Sequence, residues 1–289
     1  MPDGFLFKSV AVFGLGLLGG SLCRALRAAS PPVRLSAWGR SVDRLKPALE
    51  DGIVDRVGTL EEADLRGVDL AVVATPVVSS IAIIRDILDN GALVIDVGSV
   101  KEEIVRGVID HPRAGRFVAC HPMAGSEKTG YLHGRADLYE GSAVIITPHE
   151  KNRDDVLDAV SGFWERLGAR TVRTSPAEHD ALVARTSHLP HMVSCVLVEQ
   201  LAGALEKDAA GPAGLFIGRG FRDMTRIAAG SEEIWSEISA LNAENIAGAI
   251  DDFIDRLESL KGMIRDAGEK PDALSGYLAK IRKVREDIS

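Results

Sequence analysis

Residues Val10 to Ser21 read V-A-V-F-G-L-G-L-L-G-G-S. Four apolar residues, Val10 to Phe13, run straight into Gly14, Gly16 and Gly19, and helix-forming residues follow from Ser21 to Ala29. A G-x-G-x-x-G spacing carries meaning only between a strand and a helix, and here both neighbours are present. Glycines permit a tight turn and a backbone free of side chains. A pyrophosphate can then meet the amides at a helix N-terminus, where the helix dipole favours an anion. Gly14, Gly16 and Gly19, with the flanking Leu17 and Leu18, are therefore candidates for holding a dinucleotide. From this stretch alone the alternative stays open that the glycines only pack a helix against a strand.

The alternation continues downstream. Strand-like apolar runs recur at Val33–Trp38, Leu70–Ala74, Leu93–Val97, Phe117–Cys120 and Ala143–Thr147, and Arg170–Arg173 reads as a last strand. Helical segments lie between and after them, at Leu45–Glu50, Ser79–Leu88, Glu102–Asp110 and Asp154–Leu167. Strands alternating with helices imply parallel βαβ units, so the fold class is α/β with a doubly wound, Rossmann-type sheet. After Pro176 the strand signal stops. Ala177–Leu205 predicts one long helix kinked at Pro190, because proline removes an internal hydrogen bond. Glu232–Lys261 predicts another, with Ser231 as N-cap and Glu232 and Glu233 in the first turn. The expected organisation is a dinucleotide-binding domain over residues 1–175 and an all-α domain over 176–289. The apolar stripe of the second long helix exceeds what one helix can hide, which points to a homodimer through the helical domain.

Composition sets the outer limits. The chain has 289 residues, 46% of them hydrophobic and 26% charged, enough for a substantial core. A net charge of −8 argues against a nucleic-acid partner, since neutralising phosphates needs a basic surface. The three cysteines, Cys23, Cys120 and Cys195, form neither a C-x-x-C pair nor a disulfide framework, which favours a reducing cytoplasm. The first strand starts close to the N-terminus, so no signal peptide is expected. No apolar run approaches the ~18 residues of a membrane helix.

The end of the second strand bears on the cofactor. Folds specific for NAD carry an acid there to bind the ribose hydroxyls. Here the sequence is Ala37-Trp38-Gly39-Arg40-Ser41, and Asp43 falls in the start of the next helix. A guanidinium suits a 2′-phosphate. Arg40 and Ser41 therefore favour NADP, with NAD kept as the alternative, and an exposed surface role for Arg40 also stays open. Thr75 and Pro76, at the end of a later strand, are read as backbone lining the cofactor cleft.

Two further strand ends carry unusual polar sequences, Asp96-Val-Gly-Ser99-Val-Lys101 and Cys120-His121-Pro-Met-Ala-Gly-Ser-Glu127-Lys128. In an open α/β sheet the crevice at the carboxyl ends of the strands binds ligands, so His121 and Ser99 should face it. A histidine there accepts a proton near neutrality. Together with Ser187-His-Leu-Pro-His191 and Gly220-Phe-Arg-Asp-Met-Thr-Arg226-Ile-Ala, these segments resemble the prephenate and arogenate dehydrogenase family of tyrosine biosynthesis, in the same order from about Val10 to about Leu260.

The resemblance implies a reaction. The substrate is a cyclohexadienol with a ring carboxylate and a hydroxyl opposite it. Hydride leaves the hydroxyl-bearing carbon for the nicotinamide, the carboxylate departs as carbon dioxide, and the ring becomes aromatic. It implies His121 as the base that takes the hydroxyl proton and Ser99 as the residue that orients both groups. Arg226 would hold the ring carboxylate, and His191 would contact the side-chain end of the substrate. Glu127 and Asp223 would belong to an ionic network around Arg226, and Trp235 would reach the site from a neighbouring subunit. Whether tyrosine feeds back is left open by the sequence; any such feedback would act at the active site itself, because the chain stops short of the length a further regulatory domain needs.

Blander readings compete with several of these roles. Ser99 and Glu102 form an S-x-x-E capping box, His191 suits a buried structural histidine, and Arg222 and Arg226 suit an exposed ion-pair face. His188 and His191 lie three apart without a third ligand at metal spacing, so no metal is expected. Two other function classes remain. One is a two-domain dehydrogenase of the 3-hydroxyacid or 6-phosphogluconate type, although the local lysine-base pattern of those enzymes is missing. The other is a non-catalytic dinucleotide sensor.

Overall fold

The computed structural model describes residues 7–29, 33–126, 128–207 and 215–288. Eight strands form one sheet: β1 (Ser9–Phe13), β2 (Arg34–Gly39), β3 (Arg56–Thr59), β4 (Leu70–Val73), β5 (Leu93–Asp96), β6 (Phe117–Pro122), β7 (Ala143–Thr147) and β8 (Arg170–Arg173). Their spatial order is β3-β2-β1-β4-β5-β6-β7-β8, with Val10 paired to Leu35 on one side and to Leu70 on the other. The order reverses between β1 and β4, and at such a switch point the strand ends diverge and leave a crevice.

Helices α1 (Leu17–Ala28), α2 (Val42–Glu50), α3 (Val77–Asp89), α4 (Glu102–Arg106) and α5 (Asp154–Arg166) accompany the strands. Because both faces of the sheet are covered, the central strands read as unbroken apolar runs. Side-chain alternation then splits them between two cores. Val10, Val12, Leu70 and Val72 join Leu22, Leu26 and Trp164 in one, and Ala11, Phe13, Ala71 and Val73 join Trp38, Ile84 and Phe117 in the other.

Three features depart from the sequence expectation. β3, with Val57 as its one aliphatic side chain, was not expected as a strand and forms one edge of the sheet. β7 runs antiparallel to β6, whereas every other pairing is parallel. α1 begins at Leu17, directly from the Gly16 N-cap, so the glycine turn opens the helix several residues before Leu22.

The helical part is segmented differently from the two long helices expected. α6 (Pro176–Val183) passes through a π-helical turn at Ala184–His188 into α7 (Leu189–Lys207). The irregularity immediately precedes Pro190: the helix continues from α6 through the π turn, where the Leu189 amide donates to the Ala184 carbonyl, and this widened turn leads into the ring that lacks an N–H for the helical ladder. α8 (Arg219–Thr225), a 3₁₀ turn at Arg226–Ala229 and α9 (Glu232–Leu241) follow. Ser231 caps α9 by accepting the Ile234 amide. The expected continuous helix stops at Asn242, whose side-chain amide donates to the Asp180 carbonyl at 2.9 Å and to His188 Nδ1 at 3.2 Å. That side chain is drawn into the core, and its backbone leaves helical geometry at φ −120°, ψ 29°.

The first compact unit runs from Met1 to Ala243 and contains the sheet together with α6 to α9. The second unit, Glu244–Ser289, consists of α10 (Ala243–Arg265) and α11 (Pro271–Asp287). Its helices carry exposed Ile254, Leu257 and Ile264 on α10 and exposed Leu278, Ile281 and Val284 on α11. Among the described residues no helix is long and apolar enough to cross a membrane.

Candidate active site

The glycine turn is sterically determined at two positions. Gly14 has φ +93°, a left-handed conformation that disfavours side chains, and a Cβ there would lie 2.8 Å from the Ala74 carbonyl oxygen. A Cβ on Gly19 would meet the Gly14 carbonyl oxygen at 2.1 Å, so the turn and the helix close only on a glycine. Gly16 is different: a Cβ would find nothing within 4 Å. Its bare backbone faces open space at the start of α1, which has no side-chain cap and no acid in its first turn. Uncompensated amides, the positive dipole end and an open approach are what a pyrophosphate requires.

Gly14 and Gly16 line a cavity of about 800 Å³ together with Arg40, Ser41 and Arg44. Arg40 and Ser41 follow β2, and Arg44 lies in the first turn of α2. Asp43 sits in that turn too, exposed and paired with Lys46 at 2.7 Å. The donor set at this edge is therefore cationic and fits a 2′-phosphate. Arg44, one residue beyond the Asp43 that the sequence draws attention to, adds a second guanidinium to this edge.

A second cavity of about 580 Å³ lies alongside, within the size range of small-molecule sites. His121, Ser99, Leu17, Leu18 and Trp235 line it, and it shares Ala74, Thr75, Pro76 and Glu237 with the first cavity. Lys128 adds a cation to its wall that the sequence reading did not single out.

His121 ends β6 and is 7% exposed. Its Nδ1 lies 2.8 Å from His179 Nε2, and His179 Nδ1 lies 2.7 Å from Asp180 Oδ1. The Asp180 carboxylate accepts the Lys101 and Glu102 backbone amides at 2.8 and 2.9 Å. It thus serves α4 as an N-terminal cap from 79 residues away, and the capping-box reading of Ser99 is corrected: the helix takes its cap from α6 while Ser99 lines the cavity. Burial, then the neighbouring His179 and Lys101, holds the His121 imidazole well below its ordinary range.

The Asp96–Lys101 motif forms the floor of this region. Lys101 is wholly buried, and its ammonium bonds the Asp96 carboxylate and the Cys120 carbonyl, the latter at 2.7 Å. Asp96 also accepts the Gly98 amide at 2.8 Å and the Cys120 amide at 3.1 Å. The pair ties the end of β5 to the strand that carries His121.

Other expected residues are less uniformly placed. His191 is buried, and its ring stacks on Trp235 with centroids 3.5 Å apart and planes 14° apart. Trp235 was expected from a neighbouring subunit; instead it meets His191 of its own chain. The absence of a side chain at Gly230 makes room, since a Cβ there would lie 2.5 Å from the indole nitrogen. The Nε2 atoms of His188 and His191 are buried and have no hydrogen-bond partner among the described residues. Burial lowers both imidazoles, His188 to about 4. Ile227 and Gly230 line the cavity, but Arg226 and Asp223 are exposed, and the structure does not bring them to its wall. Glu127 lies outside the described residues.

Glu237 was also missed. Its carboxylate accepts the Val77 amide at 3.0 Å and the Val78 amide at 2.8 Å, capping α3 from α9. The helix that carries Trp235 is thereby fastened to the strand end between the two cavities. The signal was invisible in sequence, because cap and helix are 160 residues apart.

Comparison with known proteins places the chain among relatives. Residues 22–173 match the family described as prephenate dehydrogenase, nucleotide-binding domain, and residues 175–280 the one described as prephenate dehydrogenase, dimerization domain. The cyclohexadienyl dehydrogenase of Zymomonas mobilis is 32% identical over 97% of this chain and 96% of its own length. The prephenate dehydrogenase of Aquifex aeolicus, solved with hydroxyphenyl propionate and NAD+, superposes with a TM-score of 0.87 at 30% identity, over 98% of both chains. The Synechocystis arogenate dehydrogenase superposes with a TM-score of 0.79 at 27% identity, over 97% of this chain and all of its own. With both domains matched in order and a relative aligned along nearly its whole length, the chain belongs to the prephenate dehydrogenase family.

Proposed function

We propose that His121 is the general base in the oxidative decarboxylation of prephenate or arogenate, with hydride transfer to NAD(P). One observation carries the reading: a buried, neutral histidine lines a cavity that shares its wall with the cavity of the glycine turn. When bound, the nicotinamide supplies the hydride acceptor.

His121 takes the proton of the ring hydroxyl, and Ser99, on the same wall, orients that hydroxyl. Loss of the ring carboxylate as carbon dioxide restores aromaticity and drives the step forward. Arg226, which stands outside the cavity wall here, is assigned the anchoring of that carboxylate because a planar fork of donors suits it, with Asp223 and Glu127 balancing its charge. His191 and Trp235 meet the side-chain end of the substrate. Gly14, Gly16 and Gly19 hold the pyrophosphate, with Leu17, Leu18, Thr75 and Pro76 along the cleft.

NADP is the preferred cofactor. Arg40, Ser41 and Arg44 line the cavity edge where an acid would serve NAD, and a guanidinium holds a 2′-phosphate by charge-assisted bonds. The active form is a homodimer, which covers the exposed apolar side chains of α10 and α11. The free thiols of Cys23, Cys120 and Cys195 suit a reducing cytoplasm.

A steady-state assay crossing prephenate and arogenate with NADP and NAD tests the whole reading. The expected result is turnover with at least one of the two substrates and a lower KM for NADP than for NAD. Absence of turnover with both substrates would overturn the function, and a lower KM for NAD would overturn the cofactor preference alone.

A further inference from the structure

Protons in a buried hydrogen-bond chain are placed by the groups at its ends, and His121 stands at one end of such a chain. At the other end is Asp180, whose Oδ1 accepts the Lys101 amide and whose Oδ2 accepts the Glu102 amide. A carboxylate already taking backbone N–H on both oxygens meets its third neighbour as an acceptor. The hydrogen between Asp180 and His179 therefore sits on His179 Nδ1, 2.7 Å away. In the neutral ring His179 Nε2 is then a bare lone pair, and it lies 2.8 Å from His121 Nδ1. That contact is a hydrogen bond only if His121 Nδ1 carries the hydrogen.

We propose that His179 and Asp180 are positioning residues that fix His121 as its Nδ1–H tautomer, leaving Nε2 as the bare acceptor available to the cavity. This inference rests on the general-base reading of His121. The pair does more than select a tautomer. The two rings meet edge to face, with planes at 69° and centroids 5.0 Å apart, so the bond also sets the plane in which Nε2 points. His179 and Asp180 are each 1% exposed, so water does not compete for these bonds. The chain is anchored at its far end as well, because Asn242 donates to the Asp180 carbonyl at 2.9 Å. When Nε2 gains the hydroxyl proton, the Nδ1–H bond to His179 strengthens and spreads the new charge away from the substrate.

Nitrogen NMR of the full-length protein containing ¹⁵N-histidine reads the tautomer directly and needs no variant. His121 Nδ1 is expected protonated and Nε2 unprotonated at pH 7, and the opposite pattern would overturn the proposal. Kinetics supply the second arm. His179→Leu removes the acceptor and should lower kcat by roughly 10²-fold. KM and the affinity for NADPH and NADH, read by their fluorescence, should stay within about twofold of wild type. His179→Gln keeps a side-chain acceptor and should recover most of the lost turnover, which a role in filling space would not require. Unchanged kcat in His179→Leu, with His121→Asn inactive, would overturn this inference alone. Near-normal turnover in His121→Asn would instead overturn the general-base reading beneath it.

Discussion

Gly14 to Gly19 build their turn beside the cavity within six consecutive residues, whereas His121 depends on His179, Asp180 and Lys101, drawn from other segments of the chain. The glycine turn works by excluding atoms. Its requirement is that nothing occupy the space beside Gly16 or the contact between Gly14 and Gly19. The histidine site works by supplying them, and each group is held in place by a hydrogen bond to the next. Damage to the first should therefore be steric and local, and damage to the second electrostatic and transmitted.

The largest expected effect falls on the histidine side. His121→Asn should lower kcat by roughly 10²–10⁴-fold, the usual share of general-base catalysis. Cofactor affinity should stay close to wild type, since the turn is untouched; a parallel loss of affinity would break the separation of the two regions. Next in size is the buried ion pair. Lys101→Met leaves the Asp96 carboxylate buried without its partner and should cost about 3–5 kcal/mol of stability, read from denaturant unfolding. An unchanged midpoint would show that the backbone amides on Asp96 suffice.

Two glycine substitutions sharpen the other half of the comparison. Gly19→Ala places a methyl group against the Gly14 carbonyl and should lower both thermal stability and cofactor affinity. Gly16→Ala meets no protein atom, so it should cost at most about 1 kcal/mol as a cap change while still weakening cofactor binding. Equal effects of the two on stability would show that the turn is not a packed element. A separate effect is on stability against pH. His188 is lowered to about 4 from 6.5, so below pH 6.5 the unfolded chain binds a proton that the native chain refuses. Stability is fully present above 6.5 and falls as the pH drops toward 4. The melting temperature should follow that slope, and His188→Asn should reduce it while leaving the share carried by His121 and His191, whose imidazoles burial also lowers.

What could be read from sequence follows the same division. The glycine turn, the alternation of strands and helices, and His121 at a strand end are all local patterns, and the chain states them within a few residues. β3 escaped because Arg56–Thr59 contains one aliphatic residue and no alternation. The π turn at Ala184–His188 falls just ahead of the kink expected at Pro190, whereas the break at Asn242 escaped because the apolar spacing of Glu232–Lys261 runs through it and only tertiary hydrogen bonds interrupt it. The His179 bond to His121 spans 58 residues and the Glu237 cap on α3 spans 160, distances at which spacing leaves no trace. Ser99 and Glu102 show the opposite hazard, since a good local capping signature was superseded by a carboxylate from another helix.

The complete burial of Lys101 has a practical consequence. An amine-reactive reagent modifies surface lysines at once but reaches this one only when the ends of β5 and β6 part. Its labelling rate is therefore a clock for local opening beneath the histidine, read by mass spectrometry at a single peptide. Substrate or cofactor that tightens the crevice should slow that clock without any need to follow catalysis.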